Sequence, residues 1–292
     1  MIVTLKNHTM TARIDSIGAQ LISLKSKSGT EYIWQRDPAH WKSSSPLLFP
    51  TVGNCRDGKY TLNGQIYSIP KHGFCRNADF AVSVLSEQEA SFILTDSPET
   101  RAHYPFAFHL KLTYALTEDG IRIHYTVTNP GTGPMYYQLG AHPGFNCPLH
   151  SGERFEDYVL EFEQEGTAGY HSYDLNRMEF NMNSYTPILD HAAVIPLTHE
   201  LFANDAIFFT DLRSKKVALK NQATGYGVEV SYPDFATVAF WTAAATKAPF
   251  LCVEPWNGSA IRSDEDDNFL NRHFLQKLED GESKEYRIWI KI

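Results

Sequence analysis

The sequence has little that would attach it to nucleic acid or lipid. No block of Lys and Arg occurs, and a formal net charge of −8 gives no electrostatic reason to hold an anionic polymer or an anionic membrane. No stretch approaches the roughly 20 apolar residues that a membrane helix needs. The opening Met1-Ile-Val-Thr-Leu-Lys-Asn7 has neither a long apolar core nor a cleavage-like site, which argues against a secretory leader. Cysteines are few and scattered: Cys55, Cys75, Cys147 and Cys252 form no close pair. That spacing offers no zinc or redox motif and fits reduced thiols in a soluble cytoplasmic protein. A G-x-x-x-x-G-K-S/T phosphate loop, a dinucleotide fingerprint and a G-x-S-x-G elbow are all missing.

Helical periodicity is scarce as well, and no heptad, repeat or low-complexity linker interrupts the chain. What takes their place is alternation. Phe106, Phe108, Leu110, Leu112, Tyr114 and Leu116 alternate with smaller or polar residues. Thr117-Glu-Asp-Gly120 then turns the chain into Ile121, Ile123, Tyr125 and Val127. Period-two alternation around a Gly-ended turn predicts a β-hairpin with one buried face. Similar runs occupy 19–25, 79–85, 89–95, 216–220, 227–232 and 237–241, and the chain closes on Tyr286, Ile288, Ile290 and Ile292. An aromatic share of 13% suits pleated, half-buried surfaces. One short helix is expected after Ser97 or Asp96, with Pro98 at its first position, and a turn around Asp37–Trp41. The expectation is an all-β protein in which residues 1–292 form one domain, a large antiparallel β-sandwich of two sheets packed face to face.

Four polar, turn-rich segments break this grammar: Phe49–Asn54, Pro70–Asn77, Gln138–Asn146 and Phe250–Gly258. Glu254 follows the apolar run Phe250-Leu-Cys-Val253, so it is expected at the end of a buried strand. There it would lose water and its pKa would rise toward that of a useful base. His142 in Gly140-Ala-His-Pro-Gly144 has small neighbours that leave room for a ligand, and imidazole can donate or accept a proton near neutrality. His72 in Lys71-His-Gly-Phe74 stands in a similar context. Taken locally, each fits a structural partner as well as a catalytic group. The acidic run Asp264–Asp267 reads as a solvated loop, and no histidine pair has the spacing of a zinc site.

In this order, and together with Ile14–Leu21 and Glu31-Tyr-Ile-Trp34, the motifs His72-Gly-Phe, Gly140-Ala-His-Pro-Gly-Phe and Val253-Glu-Pro-Trp resemble the aldose 1-epimerase (galactose mutarotase) family, in particular its shorter LacX-like branch. The resemblance covers nearly the whole chain. It implies a large antiparallel β-sandwich and the cofactor-free interconversion of α and β anomers of a hexose. It further implies Glu254 as the base at the C1 hydroxyl, His142 as the acid at the ring oxygen, His72 as a second histidine holding the sugar, and Asp205 as a ligand of sugar hydroxyls, with Asp211 as a substitute. An acid and a base on opposite sides of the pocket would suffice for ring opening. Trp256, Phe74 and Trp241 are candidates to stack on the sugar. Where larger mutarotases carry a sugar-binding arginine this chain has Asn54, with Arg56 two residues on. Arg76 completes an H-G-x-x-R pattern similar to that of hexose-6-phosphate epimerases, which points to a hexose phosphate as the alternative substrate, unless Arg76 pairs with Asp79. A non-catalytic sugar-binding protein on the same fold, and a metal-dependent enzyme, are the competing classes. The expected partner is a small sugar; oligomeric state is left open.

Overall fold

The alternation between Phe106 and Val127 becomes the middle of the larger sheet. In the computed structural model, which describes residues 1–292, His109–Leu116 and Gly120–Thr128 pair antiparallel, with Ile121 opposite Leu116 and Thr128 opposite His109. Leu110, Leu112, Tyr114, Ile121, Ile123, Tyr125 and Val127 all point inward and are buried. Phe106 and Phe108 lie ahead of the strand, where the Asp96 carboxylate accepts the Phe108 N–H at 3.1 Å.

This sheet has nine strands in all, in the order Thr186–Pro196, Tyr158–Tyr170, Lys216–Asn221, Gly227–Ser231, Ser283–Lys291, Gly120–Thr128, His109–Leu116, Glu89–Thr95 and Ala81–Val84. Facing it is a six-stranded sheet. Ile207–Phe209, Thr237–Trp241, Phe250–Asn257, Leu139–Ala141 and Leu47–Leu48 lie side by side, and Gly144–Asn146 also pairs with Phe250–Asn257. A three-stranded sheet (Ile2–Lys6, Met10–Asp15, Gln20–Ser26) and three two-stranded ribbons are added to these. The expected sandwich is therefore present, built from several sheets instead of two.

Side chains from both large sheets meet in one core of 61 buried residues that runs from Val3 to Ile290. Phe240 of the smaller sheet packs on Phe162 of the larger, ring centroids 5.9 Å apart. The two strands at one edge of the larger sheet, Thr186–Pro196 and Tyr158–Tyr170, have no counterpart among the predicted runs. Their pairing shifts register three times, so period two does not persist along them. The one α-helix, Pro98–His103, forms where predicted. Ser97 Oγ accepts the Thr100 N–H and the Thr100 hydroxyl accepts the Ser97 N–H, a reciprocal cap that satisfies otherwise orphaned donors.

In the acidic run Asp264, Asp266 and Asp267 are exposed in a loop as expected, and one residue departs. Glu265 is buried, paired with Arg272 at 3.4 Å, and accepts both the backbone N–H and Nδ1 of His273. Burial of a carboxylate is tolerable with that set of partners.

Candidate active site

Phe250–Asn257 runs through the middle of the smaller sheet, and each of its residues is buried. Leu251 and Val253 face the sandwich core, while Phe250, Cys252, Glu254 and Trp256 face the other way. Glu254 thus lies mid-strand, not at a strand end as expected. One edge pairs with Thr237–Trp241, Ala239 standing opposite Glu254. The other edge is shared by two short strands, Leu139–Ala141 and Gly144–Asn146. Gly140 pairs with Trp256 and Gly144 with Cys252, so one antiparallel register continues across the gap between the short strands. His142 falls in that gap, and the register sets it opposite Glu254. Directly opposed residues share a face, and the result is an Nε2–Oε2 contact of 3.0 Å. The acid and base expected on opposite sides of the pocket are side by side.

They form the floor of a cavity of about 260 Å³, near the lower end of the usual range for small-molecule sites. His72, Arg76, Asp205, Trp241 and Trp256, all singled out from sequence, line it with His142 and Glu254. So do Trp41, Lys71, Tyr173, Phe180 and Ala206, which the sequence reading missed. Trp41 sits in an irregular segment and Tyr173 and Phe180 in a two-stranded ribbon, where no motif marks them. Trp41 stacks on His142, with ring centroids 4.9 Å apart and planes 26° apart. His72 is held in a left-handed conformation, φ +68°, and its Nδ1 accepts the Gly53 N–H at 3.0 Å. A neutral His72 must then carry its proton on Nε2. The next residue has to be glycine: a Cβ on Gly73 would lie 2.1 Å from the Phe49 carbonyl oxygen. Asp205 also has positive φ, +72°, just ahead of Ile207–Phe209.

Burial dominates the electrostatics. It pushes the Glu254 carboxyl well above its ordinary range, and Asp205 adds to this while Lys71 and Arg76 oppose it. Burial likewise pushes His142 well below an ordinary histidine, helped by the Arg76 and Lys71 cations. His72 is lowered for the same reason, with His142, Lys71 and Arg76 contributing. Burial thus favours the neutral form of each member of the His142–Glu254 pair, and in contact they titrate as a unit. Arg76 has no carboxylate partner: the proposed bond to Asp79 is absent, and its one side-chain hydrogen bond goes to Ser43 Oγ at 3.1 Å. Two cations thus face the cavity without an ion-pair partner, Lys71 and Arg76.

Four of the residues named from sequence lie elsewhere. Arg56 is tied to Glu179 and Asp267 and to the carbonyls of Arg262 and Glu265, in a neighbouring hollow, and does not line this cavity. Asn54 stands behind the cavity wall, accepting the Tyr173 hydroxyl at 3.0 Å and donating to the Met178 carbonyl at 2.6 Å. Phe74 packs on the core beside Phe108, so it cannot stack on a cavity ligand. Asp211 accepts the Tyr185 hydroxyl and does not line the cavity.

Donor atoms of His142, Cys252 and Glu254 lie within 4.8 Å of one another, a nitrogen, sulfur and oxygen set that sequence spacing did not expose. Strand alternation puts Cys252 on the face of Glu254. Burial raises its thiol well above the ordinary range, so in the present arrangement it is a neutral group.

The fold and site together define a class: an antiparallel sandwich with a buried His–Glu pair on the floor of a small cavity lined by aromatic and charged side chains. The chain belongs to the aldose 1-epimerase family, which it matches over residues 1–267, and the family implies a small sugar as substrate. It is 34% identical over 271 residues to the chromosomal protein LacX of Lactococcus lactis subsp. lactis, covering 91% of this chain and 90% of that protein. A galactose mutarotase related enzyme from Lactobacillus acidophilus superposes with a TM-score of 0.94 at 30% identity, over 100% of this chain and 97% of that one. A galactose mutarotase-like protein from Lactobacillus casei gives 0.92 at 29% identity, over 100% and 99%. No helix is long and apolar enough to cross a membrane.

Proposed function

We propose that this protein interconverts the α and β anomers of a hexose, with Glu254 and His142 as the acid–base pair. The 3.0 Å contact between them on the cavity floor carries the reading. The two oxygens that exchange protons in a hemiacetal, the C1 hydroxyl and the ring oxygen, are bonded to the same carbon, so a base and an acid must stand side by side. Glu254 takes the hydroxyl proton as His142 gives one to the ring oxygen, and the ring opens. Rotation about the C1–C2 bond and the reverse transfers close it on the other face. The step needs one proton on the pair, shared between the two contacting groups. His72 Nε2–H and Asp205 supply a donor and an acceptor for other sugar oxygens, and Trp241 and Trp256 an apolar wall. Anomer exchange measured by NMR tests this. Glu254→Gln should lower catalysed exchange by roughly 10²–10⁴-fold while the protein stays folded; an unchanged rate would refute the assignment.

A hexose phosphate is the second reading, supported by Lys71 and Arg76, which face the cavity with no carboxylate partner. Arg76→Ala should then raise KM for the 6-phosphorylated aldose far more than for the free one. Saturable binding of a sugar without any acceleration of exchange would favour a sensor in place of an enzyme.

A further inference from the structure

We propose that Trp41 is the positioning residue of the acid–base pair: its indole face holds the His142 ring and favours the protonated imidazole. The inference rests on the epimerase reading above. The two rings stack at 4.9 Å and 26°, face against face, whereas Trp241 and His72 meet His142 edge-on at 5.8 and 5.7 Å. Trp41 is itself held in place. Its carbonyl accepts the Trp34 indole N–H at 2.8 Å, its N–H donates to the Asp37 carbonyl, and its ring lies on Phe250 at 5.5 Å and 25°. The space it fills is left by a missing side chain: a Cβ on Gly144 would lie 3.0 Å from its Cζ3.

The site needs such a group. The charged and titratable groups facing His142 are Glu254 and Cys252 from the strand opposite, and Lys71, His72 and Arg76 from the segment above. Apart from Glu254, none is an anion, and two are cations. Asp205, across the cavity, raises the Glu254 carboxyl and so draws the proton toward the base. A second carboxylate beside His142 would restore the acid but would compete for the same proton. The face of an indole carries negative potential and no titratable site. It shifts the shared proton toward His142, leaving Glu254 ionised and ready to act.

Two measurements on Trp41→Phe and Trp41→Leu decide the matter. In a Glu254→Gln background, ¹⁵N NMR at fixed pH reads the protonated fraction of His142, identified by its loss in His142→Gln. The ratio of imidazolium to imidazole should drop roughly two- to thirtyfold in Trp41→Leu and less in Trp41→Phe. With Glu254 restored, kcat for anomer exchange should fall in the same order, and the basic limb of its pH profile, where His142 loses its proton, should move to lower pH. Should Trp41→Leu fail to fold, Trp41→Phe alone is compared. An unchanged or increased protonated fraction, or a loss of kcat with no shift of the basic limb, overturns the proposal. The NMR result holds even if no aldose is turned over, so a failure of the epimerase reading would be seen separately.

Discussion

At the scale of the residue, the cost of burying Glu254 is a stability effect with a definite sign. Its folded pKa lies above the unfolded value of about 4.5, so folding retains a proton that the unfolded chain releases. Its stabilising contribution is complete below pH 4.5 and is lost as pH rises toward the folded value. Glu254→Gln removes that loss. The thermal midpoint of the wild type, measured relative to Glu254→Gln, should therefore decline steadily from about pH 4.5 upward. His142 has the opposite sign, because its folded pKa lies below the unfolded one: its contribution is present above about pH 6.5 and lost as pH falls. Neither shift is visible in a local motif. Sequence supplied the residue types and their apolar flanks, but the 3.0 Å contact that couples them joins two segments more than a hundred residues apart.

At the scale of the element, the ribbon Tyr173–Asp174 with Glu179–Phe180 forms one wall of the cavity. Asn54 ties one arm and the connecting turn, through the Tyr173 hydroxyl and the Met178 carbonyl. Asn54→Ala should loosen that wall and raise KM for the sugar severalfold with little change in kcat, since the acid–base pair rests on other strands; steady-state anomer exchange separates the two. Gly73→Ala should cost about 1–3 kcal/mol in urea denaturation, given a left-handed φ and a backbone oxygen where the methyl would go. Elements with steady alternation, such as His109–Leu116 and Gly120–Thr128, were legible because one face is buried along their whole length. Tyr158–Tyr170 was not, because bulges reset the alternation. Trp41 and Lys71 escaped notice for a different reason: they come from irregular segments, and only the tertiary fold brings them to the cavity.

At the scale of the molecule, the sandwich was readable because both large sheets repeat one pattern, whereas their number and order were not, since pairing depends on contacts far apart in sequence. Phe240 lies between the layers, against Phe162 and Phe209. Truncating it to alanine should destabilise the protein by roughly 3–5 kcal/mol. Far-UV circular dichroism and tryptophan fluorescence should report the same lowered urea midpoint if both layers share one cooperative core. The register across the gap at His142 has a further consequence. The separation of the two proton-handling groups is stored as a count of residues: inserting or deleting a single residue between Leu139 and Asn146 turns the side chains beyond it to the opposite face. Evolution and design are free to lengthen the loops at the rim, but this stretch tolerates substitution far better than any change of length.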